Sequence, residues 1–193
     1  MKKILLSAFA LVTISAVNAQ LGVEVGGRFS NISGKDAPSA AKMKAGFQAG
    51  VNYAIGIADE FYIQPGVNFV ANGFKAEVLS KDVVTNYNYL QVPVTLQYKP
   101  VLGAGKLVLG VGPYAGFGIG DISVKTDGDK VKSDWPSGMK KFDAGAKVQV
   151  GYELNNGVYF ILNADQGLTK LSDSNNPPKT FNSAFGVSVG FRL

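Results

Sequence analysis

The chain has 193 residues, 24 of them glycine, and contains neither histidine nor cysteine. Ser-His-Asp and Cys-His nucleophilic sites, the usual zinc ligand sets and any disulfide framework are thereby excluded. A formal charge of +5, mild and scattered along the chain, argues against a nucleic-acid partner.

Residues 1–19 read as a secretory signal peptide. Lys2 and Lys3 form a positive start, residues 4–17 an apolar run, and Val17-Asn18-Ala19 a small-residue cleavage site before Gln20. The run is about fourteen residues, against the roughly twenty that a membrane helix needs. Residues 20–193 are expected to form one domain, and Gly, Asn or charge interrupts every later apolar stretch.

From residue 21 onward the chain alternates with a period of two, the period of a strand whose two faces meet different surroundings. Strand one, 21–30, sets Leu21, Val23, Val25 and Phe29 against Glu24, Arg28 and Ser30. Strand two, 44–55, sets Phe47, Ala49, Val51, Tyr53 and Ile55 against Gly46, Gln48, Gly50 and Asn52. Strand three, 60–72, places Phe61, Ile63, Val67 and Phe69 opposite Tyr62, Gln64, Gly66 and Asn68. Strand four, 87–99, shows the pattern most clearly: Leu90, Val92, Val94, Leu96 and Tyr98 alternate with Gln91, Pro93, Thr95 and Gln97.

Strand five, 106–120, alternates Leu107, Leu109, Val111, Ala115, Phe117 and Ile119 with Tyr114 and the glycines 110, 112, 116 and 118. In strand six, 141–154, Phe142, Ala144, Ala146, Val148, Val150 and Tyr152 face away from Asp143, Lys147, Gln149 and Glu153. Strand seven, 158–169, opposes Phe160, Leu162, Ala164 and Leu168 to Asn163 and Asp165. Strand eight, 180–193, opposes Phe181, Phe185, Val187, Val189 and Phe191 to Gly186, Ser188, Gly190 and Arg192.

On every strand the apolar face carries no charge, which a wall against lipid requires and a soluble sandwich or lipocalin-like carrier seldom does. Connections after strands two, four and six are short, and Asn155-Asn156-Gly157 is a strong hairpin signal. Those after strands one, three, five and seven, at 31–43, 74–86, 121–140 and 170–179, read as long loops. The expected fold is all-β, an eight-stranded antiparallel up-and-down transmembrane β-barrel with both termini periplasmic. Threaded this way, the outward aromatics form a lower belt (Tyr53, Phe61, Tyr98, Tyr152, Phe160, Phe191) and an upper belt (Phe29, Phe47, Phe69, Phe117, Phe142, Phe181). Such rings favour the water–hydrocarbon boundary.

Eight strands enclose a space just wide enough for side chains to fill. The inward set includes Glu24, Arg28, Gln48, Asn52, Tyr62, Gln64, Gln91, Gln97, Tyr114, Asp143, Lys147, Gln149, Glu153, Asp165 and Arg192. Both signs are present, as in an ion-paired plug rather than a selective channel, and the strand-five glycines leave room for Tyr62, Tyr89 or Tyr114. Asp143 with Glu153, or Asp165 alone, can be drawn as acid–base groups, but ion pairing with Lys147 and Arg192 is the simpler reading. Asp121, Asp127, Asp129 and Asp134 offer oxygens for calcium, yet interleaved Lys125, Lys130 and Lys132 mark a solvated turn. Gly110-Val111-Gly112 and Gly103-Ala104-Gly105-Lys106 lack the spacing of nucleotide loops. No catalytic, cofactor-binding or metal-binding residue is assigned, and no enzyme is expected.

Tyr89-Leu90-Gln91-Val92-Pro93-Val94 and Gly112-Pro113-Tyr114-Ala115-Gly116 carry a family resemblance, supported by Phe142-Asp143-Ala144-Gly145, Gly151-Tyr152-Glu153-Leu154 and Val189-Gly190-Phe191-Arg192. Through them residues 20–193 resemble the small outer-membrane β-barrel ("porin family", PorT-like) proteins abundant in Bacteroidota. Such barrels usually end on an aromatic residue, whereas this chain ends on Leu193 after Phe191. The resemblance implies a barrel in the outer membrane, with lipid as its first partner and no catalytic residues to carry over. The expected role is structural or interactive, through a surface or envelope protein partner at loop 121–140. Trp135 there is a candidate contact, or else a membrane-interface anchor. A narrow pore for small solutes and a component of a secretion or envelope-assembly complex are the alternatives.

Overall fold

The structure, a computed structural model, describes residues 19–37, 41–78, 81–126, 129–135, 138–172 and 178–193. The expected signal peptide, save Ala19, lies outside the described residues, as do Asp127 and Pro136. The strands are β1 (Ala19–Ser33), β2 (Lys42–Ala58), β3 (Phe61–Val78), β4 (Lys81–Tyr98), β5 (Val101–Leu102), β6 (Gly105–Thr126), β7 (Asp129–Ser133), β8 (Phe142–Leu154), β9 (Val158–Gly167) and β10 (Phe181–Arg192). Eight of them close a ring in the order β1-β2-β3-β4-β6-β8-β9-β10, with every neighbouring pair antiparallel. Short β5 and β7 each fold back on one end of β6. This is the expected eight-stranded barrel.

Closure follows from the solvent. Hydrocarbon offers no hydrogen bonds, so backbone crossing it must be satisfied within the protein and leave no open edge. The β1–β10 pairing, running from Gly22↔Arg192 to Ser33↔Phe181, removes that edge. Register then keeps like with like around the wall: Val25 opposes Ala49 and Val189, Val111 opposes Leu96 and Val148, and Leu162 opposes Val150 and Val187.

Polarity is inverted relative to a soluble domain. Val25, Val111 and Phe160 are each more than half exposed, while Arg28, Asp165 and Lys147 are buried. Both expected belts face outward, and Phe61–Tyr98, Phe47–Phe69 and Phe117–Phe142 stand as ring pairs at 5.0, 5.3 and 5.4 Å.

The short connections lie where the sequence puts them. Glu60 (φ 63°) turns β2 into β3, and Gly157 (φ 88°) turns β8 into β9. Two of the long loops do not exist as such. Residues 74–86 are mostly strand, with β3 and β4 paired out to Val78↔Lys81. In 121–140, β6 continues to Thr126 and β7 returns along it. Together β3, β4, β6 and β7 make a four-stranded extension beyond the upper belt. Of the first and last long connections, the described residues 34–37, 41, 168–172 and 178–180 lie between strands, as expected.

Candidate functional site

What distinguishes the molecule chemically is the column of polar side chains inside the ring, all held by strand parity on the face opposite the lipid wall. At the short-turn end, Glu153 Oε2 accepts from Lys99 Nζ at 2.9 Å and from Arg192 Nη2 at 3.3 Å. Arg192 also donates to Asn52 Oδ1 (2.6 Å) and Gln64 Oε1 (3.2 Å), and its guanidinium lies 4.9 Å from the centre of the Tyr159 ring. Lys99 Nζ stands at the same distance over Tyr62.

Further along, Asp165 is bound from both sides. Arg28 Nη1 reaches one carboxylate oxygen at 2.8 Å and Lys147 Nζ the other at 2.9 Å. Gln91 Nε2 adds a bond at 3.2 Å. Arg28 is itself held by Asn72 Oδ1 (2.6 Å) and Gln48 Oε1 (3.1 Å), and Gln48 Nε2 donates to Asn163 Oδ1 and Ser188 Oγ at 2.8 and 2.6 Å. One carboxylate thus ties together strands β1, β4, β8 and β9.

Toward the long-hairpin end, Asp143 accepts from Tyr114 Oη (3.1 Å), Thr169 Oγ1 (2.7 Å) and Asn182 Nδ2 (2.9 Å). Among the described residues no cation pairs with it. Above it Tyr87 donates to Asn182 Oδ1 at 2.8 Å. An aromatic cap of Tyr87, Tyr89 and Trp135 closes the column, with centroids 5.6–6.3 Å apart in edge-on contacts. Val70, Ile122, Phe74 and Met139 pack around it.

Several sequence expectations are corrected here. Asp143 and Glu153 are no acid–base pair: ten residues apart on β8, they sit about 33 Å from each other along the strand. Asp165 does pair with Lys147, and Arg192 pairs with Glu153. Trp135 is neither an exposed contact nor a membrane anchor. It turns inward, is half-buried, donates from Nε1 to Gly120 O at 2.9 Å, and rests on Gly118, where a Cβ would overlap its ring. The strand-five glycines do seat aromatics: Tyr89, one of the expected rings, at Gly116, and at Gly118 Trp135, which the sequence did not suggest. Tyr87, Lys99, Asn72 and Asn182 were not singled out by sequence. The signal was available, since Tyr87 and Lys99 continue the inward parity of Gln91 and Gln97 at either end of strand four.

Pro65, Pro93 and Pro113 each remove a ladder donor in adjoining strands. The register skips from Pro65↔Val94 to Asn68↔Gln91, and from Pro93↔Tyr114 to Leu96↔Val111. Beside these gaps lies a cavity of about 20 Å³ lined by Gly66, Asn68, Pro93, Thr95 and Gln149 among others. That volume admits about one water molecule.

With this geometry in hand, the comparison that decides kinship is with sequence families. Residues 15–173 match the outer membrane protein beta-barrel domain. The chain belongs to that family. As a member of the outer membrane protein beta-barrel family it is an integral outer-membrane barrel, and its lipid-facing wall is that of the family's fold. Among curated protein sequences none matches it. Among solved structures it is similar to Neisserial surface protein A, at 14% identity and a TM-score of 0.52, covering 91% of this chain and 99% of that one. OprG from Pseudomonas aeruginosa (13% identity, TM-score 0.49, 91% and 96% covered) and Ail of Yersinia pestis (11%, 0.48, 91% and 99%) are also similar. At such identities the likeness speaks for the fold alone.

Proposed function

We propose that this outer-membrane barrel is non-enzymatic and non-conducting, with a structural or interaction role exercised through the extension of β3, β4, β6 and β7. One observation carries the reading: paired groups occupy the ring from Lys99–Glu153–Arg192, through Arg28–Asp165–Lys147, to the Tyr87–Tyr89–Trp135 cap. An ion would have to displace buried charges from their partners, and breaking one such pair costs about 3–5 kcal/mol. The inward cations Arg28, Lys44, Lys99, Lys106, Lys147 and Arg192 stand among the inward acids Glu24, Asp143, Glu153 and Asp165, so both signs line the column.

Short connections at one end and an even number of wall strands support an orientation with both termini periplasmic and the extension outside the cell, for a chain whose residues 1–19 act as the export signal. The Tyr89–Val94 motif is the basis for proposing kinship with the PorT-like barrels. In place of Trp135, the interaction surface on segment 121–140 is the outward side of β7, whose residues are exposed along their length.

Planar-bilayer recording of the refolded full chain tests this. The expected result is a silent barrel that still shows a heat-dependent shift in gel mobility. Steady unitary conductance from the native chain would establish the narrow pore instead.

A further inference from the structure

The outward side of the extension carries an unusual cross-strand row. Lys42 opposes Lys75, Lys75 opposes Val84, Val84 opposes Lys125, and Lys125 opposes Lys130. Lys132 stands beside the row, opposite Ser123. Neighbouring strands lie about 4.8 Å apart, and like charges placed directly opposite destabilise a sheet. Lys75, Lys125, Lys130 and Lys132 are all exposed, and among the described residues none of them has an ion-pair partner. The acidic pair Glu77↔Asp82 falls two positions farther out on the register, beyond Ala76↔Val83, and so is not on the rung of the row itself.

Height and direction identify what faces it. Lys75 shares strand parity with Phe69 of the upper belt, so the row looks sideways over the membrane rather than up into the medium. Six residues of strand, tilted as barrel strands are, raise it about 15 Å above that belt. A phospholipid headgroup layer reaches only about 5–8 Å beyond the hydrocarbon. The phosphorylated sugar core of an outer-leaflet saccharolipid reaches higher, and its phosphates supply the charge that the lysines lack.

We propose that Lys75, Lys125, Lys130 and Lys132 bind the phosphate groups of the lipopolysaccharide surrounding the barrel. This rests on the orientation proposed above, with the extension outside the cell. The same register makes strand formation and ligand recognition one event: pairing β7 with β6 brings Lys130 against Lys125, and anionic groups then offset their repulsion.

The test uses the full chain refolded in zwitterionic detergent, with rough-type lipopolysaccharide as the probe and the same material stripped of phosphate by hydrofluoric acid. The quadruple variant Lys75→Gln, Lys125→Gln, Lys130→Gln, Lys132→Gln is expected to lose at least about tenfold in affinity, and the corresponding Arg variant to keep it. Native binding is expected to weaken with salt and to fall as far with the dephosphorylated probe. Equal binding by native and Gln chains, binding indifferent to phosphate, or preference for a soluble sulfated polysaccharide overturns the proposal. Because the chain has no cysteine, Lys132→Cys labelled in intact cells with an impermeant maleimide reports orientation separately. Labelling from outside with no phosphate-dependent binding sinks this inference alone, whereas a site unreachable from outside sinks the orientation as well.

Discussion

Two buried aspartates on facing strands illustrate how a carboxylate's neighbours set what its charge is worth. Asp165 meets Arg28 and Lys147, one on each oxygen. Asp143, four residues before Lys147, meets only the neutral donors of Tyr114, Thr169 and Asn182. An amide at 165 would leave two buried cations without a counter-charge, so Asp165→Asn is expected to lower stability by about 3–5 kcal/mol. An amide at 143 can keep its oxygen toward Tyr114 and Asn182 and turn its nitrogen toward the Thr169 hydroxyl. Asp143→Asn is therefore expected to cost under about 1.5 kcal/mol, one neutral hydrogen bond or less. Urea titrations followed by the unfolding-dependent gel shift compare the two, and equal losses would mean the Arg28–Asp165–Lys147 pairing contributes no more than neutral bonds do. Parity in the sequence put both aspartates inside. It did not distinguish them, because which cation reaches which acid depends on the stagger between β8 and β9, and a single sequence carries no register.

At the scale of elements, the lipid-crossing stretches were legible and the parts beyond the membrane were not. Hydrocarbon forces one face to be apolar, so residues 90–98 or 142–152 announce themselves. Above the belt both faces are wet, and the same period of two continues with charged partners: Asp121-Ile122-Ser123-Val124-Lys125-Thr126 alternates as strictly as any crossing strand. Lysine and aspartate on the outward side made it resemble a loop. The inward turn of Trp135 is hidden in the sequence for the same reason, since the hairpin that folds it over the lumen lies where both faces are wet. Gly118 completes that cap by leaving the space its ring fills. A Gly118→Val side chain must expel the indole, while the wall strand β6 can remain paired. Because Trp135 is the chain's single tryptophan, its fluorescence reads the cap directly. The variant is expected to show red-shifted emission and greater acrylamide quenching than the native barrel, with unchanged heat-modifiability. Emission identical to the native chain's would mean the indole does not rest on Gly118.

For the molecule as a whole, the inversion of polarity is the property from which the rest follows. A closed ring with exposed Val, Leu and Phe between two aromatic belts is stable only where its surroundings are apolar, and its inward groups must then find partners among themselves. Lipid wall and paired lumen are thus two consequences of one constraint, which is why alternation alone revealed both. The extension above the belt escapes that constraint, and charge is tolerated there on either side. Val148 and Val131 separate the two regimes. Val148 lies on β8 between the belt residues Phe142 and Tyr152, half exposed on the outward face; Val131 lies on β7, 67% exposed. By surface area alone the more exposed Val131 would be no harder to replace by a charge than Val148, and in a soluble carrier both changes would be harmless. In a bilayer, Val148→Lys must place an ammonium near the midplane and is expected to cost about 2–4 kcal/mol, whereas Val131→Lys stays within about 1 kcal/mol of the native chain. Denaturant unfolding in phospholipid vesicles measures both. Equal tolerance at the two positions would remove the lipid-facing wall, and with it the reason for the lumen to be paired at all.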